Sequence, residues 1–169
     1  MTAPRLALDP IAEARRHWEE HGWADAADGM AAVTSIMRAQ QLVLARVDEV
    51  LRPLGLTFAR YELLMLLHFS RTGALPVTKA STRLQVHPTS VTSAVDRLEA
   101  AGLVERRRNP EDGRGILVAL TPAGRALALK ATERMNAEVF EQLGLPPKRT
   151  ATLLSVLTDL RRVSGDLGA

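Results

Sequence analysis

The chain has 169 residues, 46% hydrophobic and 24% charged, the length and balance of one folded domain or of two small ones sharing a core. It has no cysteine, which excludes disulfides, thiolate metal sites and thiol catalysis, and its 4% of aromatic residues is too few for a stacking surface on single-stranded nucleic acid. The formal net charge is +3, but the first 29 residues hold three arginines against six acids, so the remainder carries +6, a balance that suits a polyanionic partner.

No apolar run approaches the ~20 residues of a membrane span, and the opening MTAPRLALDP is too weakly apolar for a secretory signal. A cytoplasmic protein without membrane contact is expected. A short amphipathic helix is predicted from about Asp9 to Trp23, with Pro10 in its first turn, followed by a small-residue stretch, Ala24 to Gly29. A long helix is predicted from Met30 to Arg52. Val33, Ile36, Met37, Leu44, Val47 and Leu51 recur there at helical period, and Pro53 and Gly55 end it. Thr57 caps a third helix, FARYELLMLLHF, whose apolar circumference predicts burial from more than one side. RTGALP reads as a turn, VTKASTRL as a short helix, QVH as a turn, and HPTSVTSAVDRLEAAG as a second helix: a helix-turn-helix outline.

After Gly102 the period changes. LVERRR and GILVALT read as strands, with Ile116, Val118 and Leu120 alternating, and NPEDGR between them makes a hairpin loop. Thr121 and Pro122 start a helix predicted to reach about Leu143, and a last helix runs near Lys148 to Ser164. The fold class is mainly α with a small β-hairpin wing, a winged helix-turn-helix. The expected organisation is an N-terminal extension over 1–29, helical segments at 30–56 and 121–169, and the winged module at 57–120.

The second helix of the helix-turn-helix has an unusual outer face. Val91, Val95 and Leu98 form its core stripe, while Thr89, Ser90, Thr92 and Ser93 crowd the exposed N-terminal half behind Pro88. Lys and Glu are the usual solvated choice on a helix. Short hydroxyls suit a helix that enters the DNA major groove, where they hydrogen-bond base edges and phosphates. Helix N-termini also attract phosphate. Arg106 and Arg108 on the hairpin are candidates for the neighbouring backbone, although alternation prevents Arg106, Arg107 and Arg108 from all facing DNA. Arg97 is a candidate either for DNA or for a nearby acid, and Asp96 for supporting the wing, since a bare carboxylate repels phosphate.

The run TSVTSAVDRLEAAGLVERRRNPEDGRGILVALTPAGR resembles the signature of the multiple-antibiotic-resistance regulator (MarR) family. The shared marks are Asp96-Arg97-Leu98-Glu99, Gly102-Leu103-Val104, Asp112 and Arg114 at the wing tip, Leu120-Thr121 and Gly124. The resemblance covers about Met30 to Ser164. It implies a homodimer built from the N- and C-terminal helices, a pseudo-palindromic operator on double-stranded DNA, and a transcriptional repressor relieved by a small anionic or aromatic effector. It also implies that Arg114 enters the minor groove with Asp112 holding it. A pocket between the dimerisation helices and the winged module is implied as well, with Arg38, Gln41, Tyr61, Met65 and His68 as candidate lining. The extension resembles the extra helix of the urate-responsive branch, where Trp18, Glu62 and Arg97 match a Trp, an acid and an arginine around the ligand, whereas Ala94 stands where a second arginine is usual.

Other readings carry less. His17 and His21 in HWEEH have metal-ligand spacing, but Trp18 stands where a zinc protease needs Glu, and no third ligand is near. No metal, cofactor or catalytic constellation is expected. The competing reading is a winged helix that binds protein rather than DNA.

Overall fold

The structure, a computed structural model, describes residues 8–109 and 115–167. Asp112 and Arg114, the two wing-tip candidates, lie outside the described residues. Helix α1 (Pro10–Glu20) starts where the Asp9 carboxylate accepts the Ile11 N–H at 3.0 Å. Gly22, at φ 82°, turns the chain into α2 (Ala24–Leu51), which packs along α1. Helix α2 begins at Ala24 rather than Met30, so the predicted small-residue stretch is helical. Ala24, Ala26 and Ala27 outweigh the single Gly29 in helix preference, Ala27 is buried, and Arg15 of α1 donates to Asp28 at 2.6 Å. A 3₁₀ turn (Arg52–Leu54) and Gly55 at φ 70° close the helix, as Pro53 and Gly55 predict.

Helix α3 (Phe58–Phe69) is capped by Thr57, and Leu63, Leu64 and Leu67 are completely buried between neighbours on two sides. Then come β1 (Ala74–Pro76), α4 (Val77–Leu84), α5 (Pro88–Ala100), β2 (Val104–Arg108) and β3 (Ile116–Leu120). The sheet is antiparallel with order β1-β3-β2, Leu75 and Arg106 both lying opposite Val118. The predicted hairpin is therefore a three-stranded wing sheet. Strand β1 is too short to display alternation and contains Pro76, which a sheet edge tolerates.

Helix α6 (Pro122–Met135) is shorter than predicted. A π-helical turn (Asn136–Phe140) follows it, where the Arg46 guanidinium of α2 donates to the carbonyls of Glu138 (3.2 Å) and Gln142 (2.7 Å). Val47, Val50 and Leu51 of α2, the α3 leucines, Val91, Val95 and Leu98 of α5, and Ala128, Ala131 and Met135 of α6 share one core. Helix α7 (Pro147–Val163) contributes nothing to that core: none of its residues is buried, and Leu154, Val156 and Val163 are 62%, 58% and 81% exposed. Among the described residues no helix is long and apolar enough to cross a membrane.

Candidate nucleic-acid interface

The winged module holds α5 by its apolar stripe and leaves its N-terminal half open. The His87 side chain caps the helix, its Nδ1 accepting the Thr89 N–H at 3.3 Å and lying 3.1 Å from the Thr89 hydroxyl. The Thr92 hydroxyl donates to the Pro88 carbonyl at 3.0 Å, so its methyl group and lone pairs remain outward. Ser90 and Ser93 are exposed and their hydroxyls have no hydrogen-bond partner among the described residues. With Arg97 of α5 and Thr57 and Arg60 of α3 they line a shallow hollow of about 430 Å³. Two guanidinium groups thus flank two free hydroxyls beside a helix N-terminus. Donors, acceptors and positive charge converge there, and among the described residues no carboxylate lines the hollow. Arg60, whose Nε donates to Thr57 at 3.2 Å, was not legible as a member, because it comes from a different helix.

Arg97 makes no ion pair with any described acid, which leaves it available to a ligand. Arg106 does not share that freedom. Its guanidinium bonds Asp96 at 2.6 Å and also Glu99, whose other oxygen accepts the Arg106 N–H at 3.0 Å. The Asp96 hydrogen bond, with help from the charge of Glu99, holds the Arg106 pKa above its ordinary value. Of the candidate set, Arg106 is thus turned back to tie the base of the wing to α5, and Asp96 supports the wing as expected. Arg107, on the other sheet face, pairs with Glu105. Arg108 is exposed at the end of β2. It shares a groove of about 740 Å³ with Arg71, Lys79, Arg83 and Arg107, and no carboxylate lines it among the described residues. Lys79 and Arg83 lie in the short helix VTKASTRL, where only their charge marked them.

The effector candidates do not meet at one point. Trp18 packs edge-on against Trp23, ring centroids 5.4 Å apart, at the corner of α1 and α2. On exposed α2, Arg38 donates to Gln41 at 3.1 Å. Tyr61 and Met65 are buried and satisfied by one hydroxyl, that of Thr132, at 3.1 Å each. His68 Nδ1 lies 2.9 Å from the Arg125 guanidinium. Glu62 faces α4 and α5 beside Leu84, Val86 and Ser90, where burial pushes its carboxyl pKa up. A separate apolar hollow of about 370 Å³ opens between α2, the start of α3 and the π-helical turn, lined by Gln40, Leu44, Phe58 and Phe140 among others. Sequence reasoning missed these four as a group, because they are distant in the chain. His17 and His21 bond Glu20 and the His17 carbonyl rather than each other's ligand set, and the described residues hold no group of three or more metal-ligating side chains.

Known proteins resemble this arrangement over most of its length. The sequence profile of the MarR family matches residues 54–115, from the end of the 3₁₀ turn to just beyond the wing tip. Sco5413, a MarR family transcriptional regulator from Streptomyces coelicolor, is 46% identical and superposes with a TM-score of 0.75, over 84% of this chain and 99% of that one. The HTH-type transcriptional repressor Rv2887 of Mycobacterium tuberculosis is 30% identical over 117 residues, 68% of this chain and 83% of its own. The transcriptional repressor CouR, bound to a 23-mer DNA duplex, is 28% identical with a TM-score of 0.69 over 75% of this chain and 89% of its own. CouR from Rhodococcus jostii RHA1 bound to p-coumaroyl-CoA aligns at 25% identity and a TM-score of 0.67, over 79% and 92%. With this wing sheet and this helix-turn-helix, the chain belongs to the MarR family of winged helix-turn-helix, DNA-binding transcriptional regulators.

Proposed function

We propose that the protein is a homodimeric repressor that binds a pseudo-palindromic operator in the cytoplasm and releases it when a small anionic or aromatic effector binds. The open N-terminal face of α5 carries this reading. Ser90 and Ser93, unpartnered among the described residues and flanked by Arg60 and Arg97, suit contact with base edges and the adjoining phosphates. Thr89 and Thr92 extend that face, Pro88 keeps its first turn slim, and Arg108 reaches the backbone beside the wing. Asp112 and Arg114 keep the wing-tip roles that the family resemblance implies, with Arg114 entering a narrow minor groove. The CouR repressor bound to a DNA duplex supports the first half of the proposal, and CouR from Rhodococcus jostii RHA1 bound to p-coumaroyl-CoA supports the second.

The dimer is supported by α7 and by the middle of α2. A 17-residue helix without a buried side chain cannot stay folded on local propensity alone. Val33, Ile36 and Met37 of α2 are likewise exposed. A two-fold partner covering both would set the recognition helices about 34–36 Å apart, one turn of DNA. The segments 30–56 and 121–169 then serve dimerisation, 57–120 DNA and 1–29 the extension. The effector belongs near the apolar hollow at Phe58 and Phe140, with Arg38 and Gln41 on the same helix as its Gln40 wall. Tyr61, beside Phe58, is the α3 candidate nearest to it; Met65, His68, Trp18 and Glu62 stand apart from the hollow and from one another, and keep only the roles that the family resemblance implies. A ligand acts there only through unequal affinity for two spacings of the recognition helices.

The test is selection of genomic fragments by the purified protein at physiological salt, followed by binding across a salt series. A recovered pseudo-palindrome whose affinity falls steeply with salt is expected. Enrichment of no sequence by a folded dimer, with or without candidate aromatic acids, would overturn the reading in favour of a protein-binding winged helix.

A further inference from the structure

Gln85, in the turn between α4 and α5, is the one non-glycine residue with a positive φ among those described, at 54°. Glycine would hold that conformation without strain. Glutamine at such a position gives up backbone stability, and the side chain it brings in exchange has a specific destination. Its amide donates to the Asp166 carboxylate at 2.8 Å and to the Asp166 carbonyl at 3.2 Å, and its amide oxygen accepts from Arg161 at 3.0 Å. Arg161 and Asp166 are themselves paired at 2.6 Å. The three side chains close a ring of hydrogen bonds between the helix-turn-helix and the C-terminal end of α7 with the turn that follows it.

This ring is the polar attachment of α7 to the winged module. The other side-chain hydrogen bonds of α7 among the described residues stay within it or its own entry turn, as with Thr150, Thr152 and Arg162. Helix α7 buries nothing in its own chain, so its apolar face is committed elsewhere. One end of α7 thus answers to whatever covers that face, and the other grips a residue immediately ahead of the His87 cap of α5.

We infer that Gln85, Arg161 and Asp166 form a latch that transmits the placement of α7 to the recognition helix, and so help to set which half-site spacing the dimer accepts. The inference rests on the dimeric, operator-binding reading above. The three residues are positioning residues: none needs to touch DNA, and they act through the start of α5. A rigid link between the dimer contact and each α5 makes an operator lengthened or shortened by one base pair fit poorly. Without it, each winged module turns more freely and the mismatch is absorbed.

The absence of native cysteine makes the first readout clean. Ala100→Cys, at the exposed C-terminal end of α5, carries one spin label per protomer, and pulsed electron paramagnetic resonance gives the distance between the two labels without DNA. A narrow distribution is expected in the parent protein, a visibly broader one with Gln85→Gly or Arg161→Ala, and an unchanged one with Arg162→Ala. Gln85→Gly also relieves the backbone strain, so broadening with it is not a symptom of misfolding. The second readout is binding to selected operators whose half-sites are moved by one base pair in either direction. The latch variants should flatten a preference of tenfold or more to about threefold or less while the best site keeps most of its affinity, by the arithmetic of differential binding. Equal label distributions in all variants, or an unpaired label signal from a monomer, would overturn the inference. Failure of the parent to select any DNA would instead remove the operator reading and leave the distance measurement to judge the latch.

Discussion

Serine is a weaker helix former than alanine, by roughly 0.5 kcal/mol, and α5 carries Ser90 and Ser93 on its open face with no hydrogen-bond partner for either hydroxyl among the described residues. Ser93→Ala should therefore leave α5 at least as stable and change recognition alone. Equilibrium binding to a panel of half-site variants should show preference at one base pair altered by about 1–3 kcal/mol. Uniform loss across the panel would assign Ser93 to a phosphate instead. The two arginines of the same motif separate by a different criterion. Arg106→Ala removes partners from both Asp96 and Glu99 and should cost about 1 kcal/mol in chemical denaturation, the upper range for a partly exposed ion pair. Arg97→Ala should leave the denaturation midpoint unmoved and weaken operator binding. At Glu62 burial raises the carboxyl pKa, so between the ordinary glutamate pKa and the raised one the folded chain binds more protons than the unfolded chain. Its contribution to stability is therefore intact at low pH and is lost as pH rises through the folded value. Glu62→Gln should stabilise the protein at neutral pH and make no difference in acid, as thermal unfolding at the two pH values will show.

At the scale of elements, the junction of wing and α6 is set by backbone contact. Thr121 caps α6 by accepting the Gly124 N–H at 3.0 Å, while its hydroxyl also lies against the carbonyls of Gly102 and Leu103. A Cβ on Gly124 would stand 1.9 Å from the Leu103 carbonyl oxygen. Gly124→Ala gains about 1 kcal/mol of helix preference but forces two backbones apart. The net effect should be a loss of about 2–3 kcal/mol, in the range of overpacked sites, read from urea denaturation. The sequence marked Gly124 only as part of a family string; the close approach of the Leu103 carbonyl supplies the physical reason. Strand β1 illustrates the opposite case. Ala74–Pro76 has no local signal for a strand, and it becomes one because β3 offers an open edge at the right register. The start of α2 was misjudged for a related reason: the composition of Ala24–Gly29 reads as a joint until Ala27 is seen to be buried.

For the whole molecule, the decisive fact is how much apolar surface the single chain leaves uncovered. Leu154→Glu puts a charge on the exposed face of α7 and should turn the proposed dimer into monomers in sedimentation experiments. Operator affinity should fall about a hundredfold, since two half-sites bound together gain that much over one. What the sequence determined by itself is the part governed by local rules. Helical period, caps at Thr57 and Thr121, stops at Gly55 and Gly102, and the hydroxyl face of α5 are each written within a few consecutive residues, so the winged helix-turn-helix was legible and its proposed DNA face could be named. The tertiary structure decided what depends on residues far apart in the chain. It turned Arg106 inward to Asp96 and Glu99, left Arg97 free beside Arg60, dispersed the effector candidates and brought Gln85 to Asp166. Charge and hydrogen bonding act through space, and a linear pattern specifies which groups are present but not which of them will meet.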